Sequence, residues 1–337
     1  MNMKAAVWTN YGPPEVLQID EIAKPVQKKD EILVRIHSTT VNVGDVWARD
    51  FKKFTPRSFS MPGFLWLPTR FFFGLTRPKL KVLGSEFAGT VEAVGVDVSR
   101  FAPGDRVFGY RGASMGANAE YLSVPADSAV AAMPAGLTFE EAAGIPYGAL
   151  MALGLLRKTG LKPGQKILIN GASGGIGSAA VQLAKRQFGA EVTGVCSTSK
   201  MEYVRSLGAD HVVDYTREDF TQRGERYDVV LDILGVAAFA QVKAALTETG
   251  RFVLASFKTR HLLQMLRTTR SRGKKVICAM ASESADDLQT VRELVEAGVI
   301  KTFTDKRYPL DQAAEAHRYV ESGGKRGSVV ITIKEQS

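Results

Sequence analysis

The chain is poor in the residues that bind metals or staple secreted folds. Its 337 residues include two cysteines, Cys196 and Cys278, and four histidines, His37, His211, His261 and His317. Two cysteines make neither a disulfide framework nor a four-cysteine zinc lobe, and the histidines show no clustered ligand spacing. No apolar run reaches the ~18 residues that a membrane span needs. The opening MNMKAAVWTNYG has no apolar stretch that would serve as a secretory signal. These absences lead us to expect a cytosolic protein without a membrane span, with peripheral membrane contact left open. Acids are also missing locally: between Arg251 and Lys275 there are eight Lys/Arg and no Asp or Glu, which concentrates much of the formal net charge of +9. Such a run is either a solvated face or a site for an anionic partner. An aromatic-rich strand for stacking bases is lacking too, so nucleic acid is not an expected partner.

What is present is a globular composition, 45% apolar and 23% charged, in a chain long enough for two domains. KAAVWT, EILVRIHSTTVN, GTVEAVG, GDRVFGY and AEYLSVPAD read as short strands broken by Gly and Pro, which suggests a compact β-rich unit. The texture changes near residue 138. TFEEAAGIPYGALMALGLLRKTG reads as one helix, with Thr138 as N-cap, Glu141 three residues on and Gly160 beyond its end. Strands and helices then alternate: KILIN, the helix SAAVQLAKRQF, EVTGV, the helix SKMEYVRSL, then HVVDY, DVVLDIL, RFVLAS and KVICAM. Alternation of this kind predicts an α/β fold with a doubly wound parallel sheet. Two more helices and a final strand, SVVITI, close the chain, and that strand is expected to lie outside the central sheet.

Residues 51–73 carry eight aromatics interrupted by Pro56, Pro62 and Pro68. The prolines argue against a regular helix. The segment is either a long loop that packs its aromatics into the core or an apolar wall over a lipophilic substrate. On the second reading Phe64 and Trp66 line the pocket.

The motif with most chemical content is KILINGASGGIGSAAVQLAK. A buried strand enters a turn with Gly171, Ser173, Gly174, Gly175, Ile176 and Gly177 and leaves directly as a helix. Glycine permits the tight turn and the close approach of backbone to a pyrophosphate, and the helix N-terminus offers free N–H groups to the phosphates. With strand before and helix after, this predicts a Rossmann-type dinucleotide site. About 20 residues on, an NAD-binding unit places an acid on the ribose hydroxyls. Here the second strand ends in Cys196-Ser197-Thr198-Ser199-Lys200. Ser197 and Lys200 suit a 2′-phosphate, so NADPH is the expected cofactor, though Lys200 also reads as an ordinary solvated lysine. Leu234-Gly235 and Ser256-Phe257, after the fourth and fifth strands, should meet the nicotinamide end.

Gly164-Gln165, Leu168, Ala172-Ser173-Gly174-Gly175, Gly177, Gln182 and Lys185 together resemble the signature of the zinc-independent quinone oxidoreductase/zeta-crystallin branch of the medium-chain dehydrogenase/reductase superfamily. MKAAVWTNYGPPEVLQI, LGSEFAGTVEAVG, FAPGDRVFGY, AEYLSVPAD and GSVVITI extend the resemblance over nearly the whole chain. It implies a GroES-like catalytic domain (1–127), a Rossmann NADP-binding domain (128–283) and a C-terminal segment (284–337) that returns to the first domain. Lys200 falls where these reductases hold the 2′-phosphate, and Tyr215 where they place a tyrosine near the adenosine phosphate; a packing role for Tyr215 stays open. Asn42, Asp45 and Arg49 resemble the family's Asn-x-x-Asp-x-x-x-Arg segment at the substrate pocket, although a hydrogen-bonded turn would account for them as well. Trp47 stands where several relatives have tyrosine, and Met151 where they have threonine. Tyr147 is a substitute donor or a helix-packing residue. Zinc alcohol dehydrogenases of the same superfamily carry Gly-His-Glu where this chain has Gly84-Ser85-Glu86, and a ligand cysteine near Gly44. Short-chain dehydrogenases resemble the glycine turn, but no tyrosine here has a lysine four residues later.

Without a metal, nothing lowers the pKa of an alcohol. A quinone or enone instead accepts hydride once its carbonyl oxygen is polarised. The expected activity is therefore NADPH-dependent, metal-independent reduction of a small lipophilic electrophile, a quinone or α,β-unsaturated carbonyl, by a homodimer. A non-catalytic NADPH-binding protein (a redox sensor, crystallin-like or RNA-binding) is the reading from another class.

Overall fold

The computed structural model describes residues 1–59, 61–270, 272–280 and 283–333; residue 60 of the aromatic segment, residue 271 of the basic run and the last residues of the C-terminal segment lie outside that description. The chain opens with a hairpin, β1 (Asn2–Trp8) against β2 (Leu17–Ala23). Then follow β3 (Glu31–Val41), helix α1 (Val43–Arg49), helix α2 (Trp66–Phe73), β4 (Glu86–Val94), β5 (Arg106–Tyr110), β6 (Tyr121–Pro125) and β7 (Val130–Ala132). Period-two alternation sends Ile32, Val34 and Ile36 of β3 into one core with Phe87, Val91, Val107 and Val124.

Helix α3 (Phe139–Ala143) and helix α4 (Pro146–Thr159) replace the single helix expected from 138 onward. The Thr138–Glu141 capping box and the left-handed Gly160 stand as read. Pro146 has no N–H to continue a helix, so it starts a new one at its first position. The aromatic segment is likewise less irregular than its prolines suggest. Pro68 sits in the first turn of α2, where no intrahelical N–H bond is lost.

Next come β8 (Lys166–Asn170), α5 (Gly175–Arg186), β9 (Glu191–Cys196), α6 (Met201–Ser206), β10 (His211–Asp214), β11 (Tyr227–Asp232), α7 (Phe239–Val242), β12 (Leu246–Leu254), α8 (Thr259–Thr269) and β13 (Lys275–Cys278). The strands form a six-stranded parallel sheet in the order β10-β9-β8-β11-β12-β13. Ile167 and Ile169 face a core shared with α4 and α5, while Leu168 faces the opposite core with Val195, Val230 and Phe252. Burial on both faces explains why these strands read as continuous apolar runs. Each such side chain contributes about 1.5–3 kcal/mol. The order reverses between β8 and β11, which opens a crevice at their carboxyl ends.

Helix α9 (Ala285–Glu296), β14 (Thr304–Pro309), α10 (Ala313–Glu321) and β15 (Ser328–Thr332) complete the chain. β15 pairs antiparallel with β3 and parallel with β14, in a seven-stranded sheet with β4, β5, β6 and β7. The final strand thus lies outside the parallel sheet. This return brings the turn 322–327 against the parallel-sheet half.

Candidate active site

At the switch point, β8 runs into Gly171 with φ +91°. A Cβ on Gly177 would lie 2.1 Å from the Gly171 carbonyl oxygen, so only glycine lets α5 seat this close to the turn. Gly175, in contrast, faces open space. The first N–H groups of α5 have no intrahelical acceptor and sit at the positive end of its dipole. An open backbone surface of this kind fits a diphosphate. Ser173 is buried and its carbonyl accepts the Gly327 N–H (3.3 Å), while Ile176 packs against the core. Across the crevice, buried Asp232 accepts N–H bonds from Leu234 (3.2 Å), Gly235 (3.1 Å) and Ala237 (2.9 Å), and from Asn170 Nδ2 (2.9 Å), which shapes the loop after β11. Gly235 has φ +68°, and a Cβ there would meet Ser256 O at 2.4 Å, so these two stretches are in contact. The Phe257 side chain belongs to the core, which leaves only its backbone to face the crevice.

Ser197, Lys200 and Tyr215 gather at the ends of β9 and β10, and the Tyr215 N–H bonds Cys196 O (3.1 Å). Asp214 ends β10 beside this cluster, but its carboxylate is engaged by the Thr198 and Thr216 hydroxyls and the Thr216 N–H. It is not free to hold ribose hydroxyls. Lys200 Nζ donates to Gly323 O (2.8 Å). Burial lowers the Lys200 pKa; Cys196 and the charge of Asp305 oppose the shift, and the charge of Arg326 adds to it. Lys200, Arg326 and Asp305 thus lie within one another's electrostatic reach at this end of the sheet.

The centre of the cleft is built on the α1 cap. Asn42 Oδ1 accepts the N–H of Gly44 (2.8 Å) and Asp45 (3.3 Å), Asp45 Oδ2 accepts the Asn42 N–H (2.9 Å), and Asn42 Nδ2 donates to Ser85 Oγ (2.7 Å). Asp45 also accepts the Gly84 N–H (3.2 Å). Fully buried, it acts on local geometry, and burial pushes its pKa up to about 7 against those N–H bonds, with the Glu86 charge adding to the rise. Glu86 accepts the Thr40 hydroxyl and the Tyr147 N–H (2.8 Å), and burial raises its pKa too. Tyr147 stacks obliquely on Tyr110, with centroids 5.7 Å apart. Burial and the nearby carboxylates push both phenols up, which keeps them protonated. Sequence reasoning missed Lys325. It shares a small cleft with Thr40, Asn42, Glu86, Tyr147 and Gly175, and its Nζ donates to Gly327 O (3.3 Å); burial lowers its pKa, and the charges of Glu86 and Asp45 oppose that shift. The glycine-rich turn Gly323-Gly324-Lys325-Arg326-Gly327 before the last strand was the only signal for it.

One residue beyond Asn42 begins a cavity of about 570 Å³ lined by Val43, Val46, Trp47, Asp50, Lys53, Phe54, Ser58, Val320 and Glu321. Trp47 and Phe54, with centroids 5.3 Å apart, are its aromatic walls. The expected pocket residues are placed differently. Arg49 is fully buried behind α1, donating to Gly12 O (3.0 Å) and Glu321 Oε2 (2.8 Å), so it braces the wall instead of facing a ligand. Phe64 is 63% exposed and points to solvent. Trp66 donates to Phe54 O (2.8 Å) and packs behind the wall. Among the described residues, no three His, Cys, Asp or Glu side chains converge as a metal site.

The family model for an alcohol dehydrogenase GroES-like domain matches residues 28–135, and that for a zinc-binding dehydrogenase matches 207–331. Over 340 aligned residues, 98% of this chain and 79% of the relative, it is 32% identical to 2-methylene-furan-3-one reductase of Solanum lycopersicum. The chain belongs to the medium-chain dehydrogenase/reductase superfamily. It is also 30% identical to the chloroplastic NADPH-dependent alkenal/one oxidoreductase of Arabidopsis thaliana, again over 98% of this chain and 79% of that one. The quinone oxidoreductase structure from Coxiella burnetii superimposes with a TM-score of 0.84 at 27% identity, covering 99% of this chain and 100% of that one.

Proposed function

We propose that this protein is an NADPH-dependent, metal-independent reductase of quinones or α,β-unsaturated carbonyl compounds. The observation that carries the reading is the shared cleft: Gly175 at the open N-terminus of α5 borders the same space as Asn42, Tyr147 and Lys325. The relatives named for enone, alkenal and quinone reduction support it. The glycine turn would hold the diphosphate, Ser197, Lys200, Tyr215 and Arg326 the 2′-phosphate, and Leu234, Gly235 and Ser256 the nicotinamide end. Bound NADPH supplies the hydride. As the acceptor takes it, negative charge grows on the carbonyl oxygen. The Lys325 ammonium and the Tyr147 hydroxyl, which line the same cleft, would be the donors that meet that charge. Asn42, Asp45 and Glu86 hold this arrangement and act through their neighbours. Trp47 and Phe54 would line the acceptor site.

The division at 1–127, 128–283 and 284–337 is part of this reading, as are a cytosolic location and a homodimer. The pairing of β15 with β3 supports the first, and no helix among the described residues is long and apolar enough to cross a membrane. The function is tested by following NADPH consumption with a chain-length series of enals and with quinones, on wild type and on Trp47→Ala with Phe54→Ala. Each wall aromatic contributes about 1.5–3 kcal/mol to a long acceptor, so kcat/KM should rise with chain length and flatten in the double variant. Tight NADPH binding without turnover of any acceptor would leave a non-catalytic cofactor sensor as the better reading.

A further inference from the structure

Helix α2 is apolar on both sides. Trp66, Arg70 and Phe73 face the protein, while Leu67 (51%), Phe71 (52%) and Phe72 (50%) stand exposed, continued by Phe64 (63%) before the helix and Leu75 (49%) after it. Leu67 and Phe71 are four apart, and Phe64 precedes Leu67 by three, so they form one stripe. Single exposed apolar residues are ordinary, but adjoining ones on one surface mark a contact site.

The charge around this stripe has one sign. From Phe51 to Ser85 the sequence holds seven Lys/Arg and no acid, and Lys52, Lys53, Arg57, Arg77, Lys79 and Lys81 are exposed. Among the described residues, none of these six pairs with a carboxylate. Lys258 Nζ donates to Arg57 O (2.9 Å), which sets the first turn of the second acid-free run, 251–275, against the first. Taking the fifteen cations of the two runs from the chain's 44 leaves 29 against 35 acids. The net positive charge of the protein therefore resides in these two segments.

We propose that the α2 face docks on an anionic phospholipid bilayer. Phenylalanine and leucine side chains without polar atoms suit the acyl boundary, and flanking Lys and Arg suit lipid phosphates. No carboxylate lies between Phe51 and Ser85, so every charged side chain of this segment suits an anionic partner. The start of the same segment, through Lys53, Phe54 and Ser58, lines the 570 Å³ cavity. On the reductase reading above, docking would place that cavity beside the membrane that dissolves its acceptor. Docking itself is measured without turnover.

The test is flotation of the full chain with phosphatidylcholine vesicles, with and without phosphatidylglycerol, at low and high salt. We expect binding that requires phosphatidylglycerol and weakens with salt. Phe71→Ser with Phe72→Ser should weaken partitioning about tenfold, and Arg77→Glu or Lys81→Glu about fivefold each. Melting temperature and turnover of a water-soluble acceptor should not move in any of these variants. Three results would overturn the proposal: no binding to anionic vesicles, equal binding by wild type and the Phe71/Phe72 variant, or conversion of an oligomer to a monomer by that variant, which would make the face a contact between copies. Loss of turnover with docking intact would count against the reductase reading alone.

Discussion

Removing the Lys200 ammonium should change cofactor choice more than cofactor binding as a whole. Lys200 lies at the end of β9, where an NAD-binding unit would carry an acid, and its Nζ already reaches Gly323 O at 2.8 Å. Asp214, at the end of β10, is occupied by threonine hydroxyls. Arg326 is the second cation; Asp305 lies 3.7 Å from its Nε as an ion pair, whereas on Lys200 the same acid acts only through its charge. Lys200 should therefore contribute the larger share. A hydrogen bond from a charged donor to phosphate is worth about 1.5–3 kcal/mol, or roughly 10- to 100-fold in affinity. Lys200→Ala should raise the Kd for NADPH by that factor and leave NADH within about twofold. Arg326→Ala should cost NADPH less, about three- to fivefold, because its partner Asp305 is left behind. The measurement is a fluorescence titration with each cofactor, followed by kcat/KM for each. Equal loss for NADPH and NADH would refute the reasoning, because Lys200 would then be bracing the 322–327 turn and not selecting the phosphate.

Two further outcomes follow from the buried polar groups. Prolonged chelation should leave both turnover and melting temperature unchanged, and elemental analysis of the purified protein should find no stoichiometric zinc; stoichiometric zinc would defeat the metal-independent reading. Asp45 has its pKa raised by burial from 3.8 to about 7, so the folded state holds a proton that the unfolded chain releases. Its contribution is complete below the unfolded pKa and is lost as pH rises through about 7. The gap in melting temperature between wild type and Asp45→Asn should therefore be wider near pH 4 than near pH 8, and a gap independent of pH would show that Asp45 does not titrate in this range.

How much of this was legible in the sequence depended on whether the information was local. The parallel sheet followed from apolar runs such as KILIN and DVVLD, because strands buried on both faces carry that pattern. The edge strands β2, β7 and β14 went unread; β2 and β14 are largely exposed or half-exposed, and β7 has only three residues. The break between α3 and α4 was readable from Pro146 and was overlooked in favour of the strong caps on either side. Arg49 shows a different limit. The spacing Asn42, Asp45, Arg49 was recognised, but residues four apart share a helix face, and that face is the buried one. Val43, Val46, Trp47 and Asp50 form the face that lines the cavity. The same periodicity that exposed the motif therefore also specified that Asp45 and Arg49 could not both be buried braces while Trp47 was one as well. Lys325 was beyond such reasoning. It meets Glu86 and Tyr147 only because β15 crosses back to pair with β3, and the register Val329 with Val41 sets the turn before β15 over the α1 cap. Its position in the cleft is a property of the topology. On the proposed mechanism, the cation of this site would be supplied by the last part of the chain to join the first sheet.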